Sequence, residues 1–283
     1  MRNLLIRTVM LLLLPNFMSA DNLRLQQGVT SEGIAYGWVG AKPTQPAPTV
    51  FFFGGAIEDS LTRPHYLEAM EVLGADVWCV TIDLPCHGRQ RRPDEPPSLA
   101  GWRYRFERDE DVTADLVRLA TAVLNYLVAE RHTDPSRVAV LGTSRGGFMA
   151  FHFAAADPRV QKIVGFSPVT DLFALSEFAG LTNNRLARSR SAANLAEQLR
   201  DRRIWLTIGN SDHRVSTQSV FDFVERVIAA AETSGSPPEI ELHVQPSNGH
   251  AVPAGAYGAA ACWLRRDWGL PELKAATSSA TVP

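Results

Sequence analysis

Residues Leu141–Ala155 read LGTSRGGFMAFHFAA and set one serine, Ser144, between Gly142 and Gly146. Gly-x-Ser-x-Gly is a short pattern in a chain with 20 glycines, so its meaning rests on what flanks it. Upstream, RVAVLG (Arg137 to Gly142) is a short apolar run rich in β-branched residues, as expected of a strand buried on both faces. Downstream, Phe148, Met149, Phe151, His152 and Ala155 recur at the three- and four-residue steps of a helix face. The order strand, glycine-bracketed serine, helix predicts a sharp turn that holds Ser144 as an exposed nucleophile. The two glycines then have a physical reason, since such a turn strains the backbone and leaves no room for a Cβ at Gly142 or Gly146.

The rest of the chain supplies strands and helices in alternation. GIAYGWV (Gly33 to Val39), TVFFF (Thr49 to Phe53), DVWCVTID (Asp76 to Asp83), RVAVLG, KIVGFS (Lys162 to Ser167), RIWLTIG (Arg203 to Gly209) and EIELHVQ (Glu239 to Gln245) read as strands. Helical patterns cover Arg63 to Leu73, Val112 to Glu130, the stretch after Ser144, Ser191 to Arg200, Thr217 to Glu232 and Gly255 to Asp267. Alternation of this kind implies right-handed crossovers and a mostly parallel sheet with helices on both faces, an α/β fold. Chemistry in such sheets collects at the carboxyl ends of the strands.

Two of those ends carry the residues that a serine nucleophile needs. NSDHRV follows RIWLTIG and brings Asp212 to a strand exit; PSNGHAV follows EIELHVQ and brings His250 to the next. A serine hydroxyl is a poor nucleophile until an imidazole takes its proton, and the imidazole needs a carboxylate to fix its tautomer and stabilise its cation. Serine, acid, histidine is also the chain order of α/β-hydrolase triads. His213 sits in the acid's own loop, which makes His250 the better base. The developing oxyanion calls for two N–H donors: Arg145, directly after the serine, and Gly55 or Ala56 in the GGAIED loop after TVFFF.

On these residues the chain resembles the prolyl-oligopeptidase and dienelactone-hydrolase-like branch of the α/β-hydrolases. TDPSRVAVLGTSRGG (Thr133 to Gly147) is similar to that branch's Asp-Pro-x-Arg lead-in, apolar strand and Gly-x-Ser-x-Gly-Gly, and NSDHRV and NGH extend the likeness from about Gly33 to Trp268. Ser144 stands where dienelactone hydrolases carry cysteine, and no long region precedes it that would form a propeller. The loop after FFF starts with FGGA, without the His-Gly-Gly of many carboxylesterases.

Composition agrees with an enzyme of one large core. The chain has 283 residues, 45% of them hydrophobic, and a net charge of −2, which gives no electrostatic ground for a nucleic-acid partner. MRNLLIRTVMLLLLPNFMSA has Arg2 and Arg7, an apolar stretch from Val9 to Leu14, Pro15 and a small Ala20, the layout of a secretory signal peptide. It predicts export to the periplasm or medium, and it is shorter than the roughly 20 apolar residues of a permanent span. The expected division is therefore a leader over 1–20, a catalytic domain over 21–270 and a disordered tail over 271–283. Cys79, Cys86 and Cys262 are odd in number and do not read as a disulfide framework; Cys86 beside His87 is read as part of a loop, with His87 bracing it.

Two long connections are candidates for shaping a pocket. Leu84 to Asp111 contains four prolines and the cluster GWRYRFE, whose Trp102 and Arg105 are expected at the mouth as substrate-binding residues; its prolines and mixed charges argue against regular structure. Pro168 to Ser191 contains Phe173, a third candidate contact. The reading is a serine hydrolase that cleaves a carboxylic ester through an acyl-enzyme formed by Ser144, His250 and Asp212, with no metal or organic cofactor. A peptidase of short peptides and a non-catalytic binding module on the same fold are the alternatives.

Overall fold

The computed structural model describes residues 23–272, so the expected leader (1–20) and all but the first two residues of the expected tail (271–283) lie outside the described residues. Eight strands in the described residues form one sheet: β1 (Leu25–Val29), β2 (Ala35–Val39), β3 (Ala47–Phe53), β4 (Trp78–Thr81), β5 (Thr133–Thr143), β6 (Val160–Phe166), β7 (Arg203–Gly209) and β8 (Ile240–Gln245). Their order is β1-β2-β4-β3-β5-β6-β7-β8. β2 pairs antiparallel with both β1 and β4, and every other neighbouring pair is parallel. This is the α/β-hydrolase fold. The unforeseen strand is β1, whose sequence LQQGV has little apolar content because it lies at the sheet's edge.

Helices cover both faces: α1 (Ile57–Thr62), α2 (Pro64–Leu73), α3 (Ser98–Phe106), α4 (Val112–Ala129), α5 (Arg145–Ala156), α6 (Arg185–Ser189), α7 (Ala196–Leu199), α8 (Thr217–Ser234) and α9 (Ala256–Asp267). The alternation of side chains along β3 and β5 divides the core in two. Phe51, Phe53, Val138 and Val140 face one cluster with residues of α4, α5 and α8; Val50, Phe52, Ala139 and Leu141 face the other with residues of α2 and α9. Burial on both sides is what makes these strands continuous apolar runs. A fully buried phenylalanine of this kind contributes about 1.5–3 kcal/mol. In α4, Leu116, Ala120, Val123 and Leu127 are buried at helical spacing, and Asp111 caps its start by accepting from the N–H groups of Thr113 (3.0 Å) and Ala114 (3.2 Å).

The strand order turns back at β3 and β5, so the loops after these two strands open into a crevice at the switch point. Those are the loops that carry Gly55 and Ser144.

The connection from Leu84 to Asp111 departs from expectation. It holds a short 3₁₀ turn (Gly88–Gln90) and the helix α3, with Pro97 at the N-cap. The prolines precede the helix, where a missing N–H costs nothing, and do not interrupt it. Trp102 and Arg105 are consequently not mouth residues. Trp102 is fully buried and its Nε1–H donates to the Pro85 carbonyl at 2.7 Å. Arg105 is 4% exposed and grips Glu95 through two bonds, Nε to Oε2 at 2.8 Å and Nη2 to Oε1 at 2.7 Å, with Asp115 at 3.2 Å. Both residues are scaffold.

This gives a stability prediction. Arg105→Ala would leave the Glu95 carboxylate buried without its cation, a change that typically costs about 3–5 kcal/mol. Burial alone would raise the Glu95 pKa, but the Arg105 guanidinium and the Arg92 N–H outweigh it and carry the group from 4.5 down to about 2. Because the folded value is depressed, the pair's contribution is complete above the unfolded value and fades as pH falls toward 2. Thermal unfolding of Arg105→Ala against the parent should show its largest gap near neutral pH, closing below about pH 4. An equal gap at all pH values, or none, contradicts this account.

Candidate active site

Ser144 sits between β5 and α5 with φ +54° and ψ −116°, a conformation that costs a residue with a Cβ about 1–3 kcal/mol. Its surroundings hold it there. Its N–H donates to the Phe166 carbonyl at 2.9 Å, and its carbonyl accepts from Gly147 and Val169, each at 3.0 Å. A Cβ on Gly142 would collide with the backbone of Gly146, and one on Gly146 with the Phe53 carbonyl. The turn can close only with glycine at both positions.

The structure brings Ser144, His250 and Asp212 into contact across 106 and 38 positions of sequence. His250 Nδ1 lies 2.8 Å from Asp212 Oδ2, and Nε2 lies 3.0 Å from Ser144 Oγ. A carboxylate only accepts, so the Nδ1 proton points at Asp212 and leaves Nε2 bare toward the serine hydroxyl. Asp212 is 1% exposed. Its Oδ1 accepts from the N–H groups of Arg214 (3.0 Å) and Val215 (3.2 Å). Burial pushes its pKa up, but the bond from His250 and these two amides prevail, and the carboxyl is held below its usual range. His213 is exposed, and it is His250 that bonds both Asp212 and Ser144.

The loop after β3 is tied down by Ser60, whose Oγ accepts from the N–H groups of Gly54 (3.0 Å) and Gly55 (3.3 Å) while donating to the Ala56 carbonyl at 2.9 Å. Of the two expected donors, Gly55 is thus already engaged, and Ala56 N–H is bonded to none of the described residues. Arg145 N–H, at the first position of α5, is among the helix amides that lack an intrahelical acceptor. Asp83, at the exit of β4, fixes the other side of the crevice by accepting from Ile57 N–H (2.7 Å) and Arg89 N–H (2.9 Å).

Pro168 to Ser191 begins on the serine itself through the Val169 bond, and a Cβ on Gly147 would strike Pro168. Phe173 lies in this segment on a 3₁₀ turn (Leu172–Ala174), half-buried against the core. An ion pair unseen in the sequence joins the segment to the acid's loop: Arg214 Nη2 meets Glu177 Oε1 at 2.5 Å, and Arg214 Nη1 meets Oε2 at 2.8 Å. That bond is the main reason the Glu177 pKa falls to about 2. Arg103 adds bonds to the Glu177 and Ala179 carbonyls at 2.9 and 2.8 Å. Cys86 is buried, and burial raises its thiol to about 12, so it is no thiolate nucleophile.

With this geometry stand the likenesses to known proteins. The prolyl oligopeptidase family profile matches residues 100–270. The hydrolyase poxO of Penicillium oxalicum is 30% identical over 146 residues, which cover 49% of this chain and 31% of that protein, so the chain spans about a third of this curated relative. A puromycin-hydrolyzing peptidase of Mycobacterium tuberculosis superposes with a TM-score of 0.66 at 17% identity, over 88% of this chain and 39% of that one. Acetyl xylan esterase 1 of Thermoanaerobacterium sp. superposes with a TM-score of 0.57 at 18% identity, over 86% of this chain and 87% of that one. At such identities the two structures share a fold with this chain.

Proposed function

The chain belongs to the prolyl oligopeptidase family and is a serine hydrolase; on that premise we propose that it cleaves carboxylic esters through Ser144, His250 and Asp212. The observation that carries the reading is the unbroken relay of bonds from Asp212 to His250 to Ser144, at 2.8 and 3.0 Å. In the first step Ser144 Oγ bonds to the ester carbonyl carbon as its proton passes to His250 Nε2, and the carbonyl π electrons move onto oxygen. The backbone N–H of Arg145, with that of Ala56, which unlike Gly55 is bonded to none of the described residues, receives this oxyanion. Collapse expels the alkoxide, which takes the proton from the imidazolium and leaves an acyl-serine. Water then attacks the acyl carbon with His250 as base, releasing the acid and restoring the serine.

Charge around the site favours an ester over a short peptide. A peptide's ammonium terminus needs an uncompensated acid. Asp59 is bound by Arg63, Glu177 by Arg214 and Asp212 by His250, and the two oxygens of Asp83 are taken by the N–H groups of Ile57 and Arg89. Peptidase action stays the second reading because the family match includes peptidases by name. The first twenty residues support export.

A neutral fluorophosphonate probe should label Ser144 in the intact protein, and a panel of 4-nitrophenyl esters matched to 4-nitroanilides of the same acyl groups should show turnover of the esters alone. Anilide hydrolysis at comparable kcat/KM reassigns the protein to the peptidases. Failure to label Ser144 removes the serine mechanism.

A further inference from the structure

Two arginines, Arg63 and Arg214, lie within electrostatic reach of Arg145 beside the site, and both are neutralised. Arg63 pairs with Asp59 at 2.9 Å and Arg214 with Glu177 at 2.5 Å. Arg145 has no such partner among the described residues, and its Nε is buried without a hydrogen bond. Burial, the largest influence, draws its pKa down; Tyr66 and Asp59 act against this, and the charges of Arg63 and Arg214 act with it. A guanidinium nonetheless stays protonated at any pH the protein meets. Its place compounds the cost, since Arg145 opens α5 with no acid in the first turn, a cation at the positive end of the helix dipole. Asp59, the acid within reach, is already bound by Arg63, so a bound anion would supply the direct partner that Arg145 lacks.

The side chain reaches the expected oxyanion loop. Its Nη2 lies 3.2 Å from where a Cβ on Gly55 would sit; His87 Cδ2 borders the same point at 3.2 Å and Asp59 Oδ2 at 3.5 Å, while Asp59 Oδ1 is held by Arg63. His87 Nδ1 must carry its proton, because its neighbour at 2.9 Å is the Pro85 carbonyl, which only accepts. Nε2 is therefore a bare acceptor, buried and unbonded among the described residues. Burial, aided by Arg145, lowers the His87 pKa to about 4, so this imidazole adds no second positive charge at neutral pH. Two side chains that each hold a buried nitrogen without a partner among the described residues, Arg145 through Nε and His87 through Nε2, thus border the glycine of the loop, where native interiors normally leave few such groups.

We propose that Arg145 determines specificity: its guanidinium receives a carboxylate carried by the ester substrate near the scissile carbonyl. The substrate class is an ester with a second, free carboxylate, placed either on the acyl part, as in a half-ester of a dicarboxylic acid, or on the alcohol part. A planar guanidinium binds a carboxylate through two parallel bonds, which a neutral ester cannot match. The proposal rests on the ester-hydrolase reading above, with Gly55 beside the carbonyl oxygen.

The test compares anionic and neutral partners of the same shape. Mono-4-nitrophenyl succinate and its methyl ester probe the acyl side; 4-acetoxybenzoate and its methyl ester probe the alcohol side. In the parent, one of the two pairs should show kcat/KM about 10- to 100-fold higher for the anion, the range of a hydrogen bond to a charged group. Arg145→Met should bring that ratio to one or below, and Arg145→Lys should keep part of it, because lysine retains the charge without the fork. Taking the ratio within each variant removes any change in the oxyanion contact of the same residue's backbone N–H. A measurement on the parent alone guards against a variant that does not fold: succinate should protect Ser144 from the neutral fluorophosphonate, and succinamide should not. Ratios near one for both pairs in the parent, a ratio untouched by Arg145→Met, or equal protection by the two small molecules overturns the proposal while leaving the hydrolase intact. Absence of probe labelling at Ser144 overturns the hydrolase reading and the proposal together.

Discussion

Ser144→Ala is expected to lower ester turnover by a factor on the order of 10⁶, the scale of losing a serine nucleophile that acts as one unit with its base. The substitution removes a single hydroxyl. It leaves the bonds from the position 144 backbone to Phe166, Gly147 and Val169, all of them main-chain contacts. The melting temperature should therefore move little, so that the loss of activity cannot be blamed on the fold. Alanine inherits the same φ of +54°, whereas glycine is at ease there. Ser144→Gly should thus be equally inactive yet unfold at a higher temperature than Ser144→Ala, which would show that the turn's strain is held for the sake of the hydroxyl. Ester turnover by Ser144→Ala within tenfold of the parent would remove Ser144 from the mechanism.

Much of this arrangement was legible because the central strands are buried on both faces. TVFFF, RVAVLG, KIVGFS and RIWLTIG stand out as apolar runs, and the residues just past them could be inspected in turn. Glycine did the same service at the elbow, since only a clash-free backbone at Gly142 and Gly146 lets the turn close. What escaped had no local signature. Edge strand β1 buries too little to be apolar, with Val29 55% exposed. α1 was missed because Pro64 marks a new helix and hides the short one before it. The cluster Trp102 to Phe106 looked like a mouth because an arginine's partner cannot be read from composition; Glu95 is ten positions away and Asp115 ten the other way. Charge compensation is a three-dimensional property. For the same reason Arg214 and Glu177, 37 positions apart, gave no hint of their pairing, and nothing marked Arg145 as the arginine left over.

Asp212→Asn should cost about 10⁴ in kcat while leaving the fold in place. The size of the effect follows from which of the side chain's two ends is already committed. Oδ1 accepts two backbone N–H groups, from Arg214 at 3.0 Å and Val215 at 3.2 Å, and only an oxygen can take that position. In the asparagine variant those amides hold the carbonyl end, and the NH₂ group is turned toward His250 Nδ1, 2.8 Å from where Oδ2 had been. Two donors cannot face each other, so Nδ1 gives up its proton and the imidazole adopts the Nε2–H tautomer. That nitrogen then points a proton at Ser144 Oγ instead of a lone pair, and the serine has no base. Loss of the carboxylate's negative charge removes, in addition, the stabilisation of the imidazolium that forms as Oγ attacks. The carboxyl of the parent is held below the usual range, so it remains ionised well into acid and is not the group whose protonation first limits the rate. Measured on one ester at neutral pH, Asp212→Asn combined with Ser144→Ala should be no slower than Ser144→Ala alone. A nearly unimpaired Asp212→Asn would mean that the two amides do not orient the asparagine as argued, and that another acid serves His250.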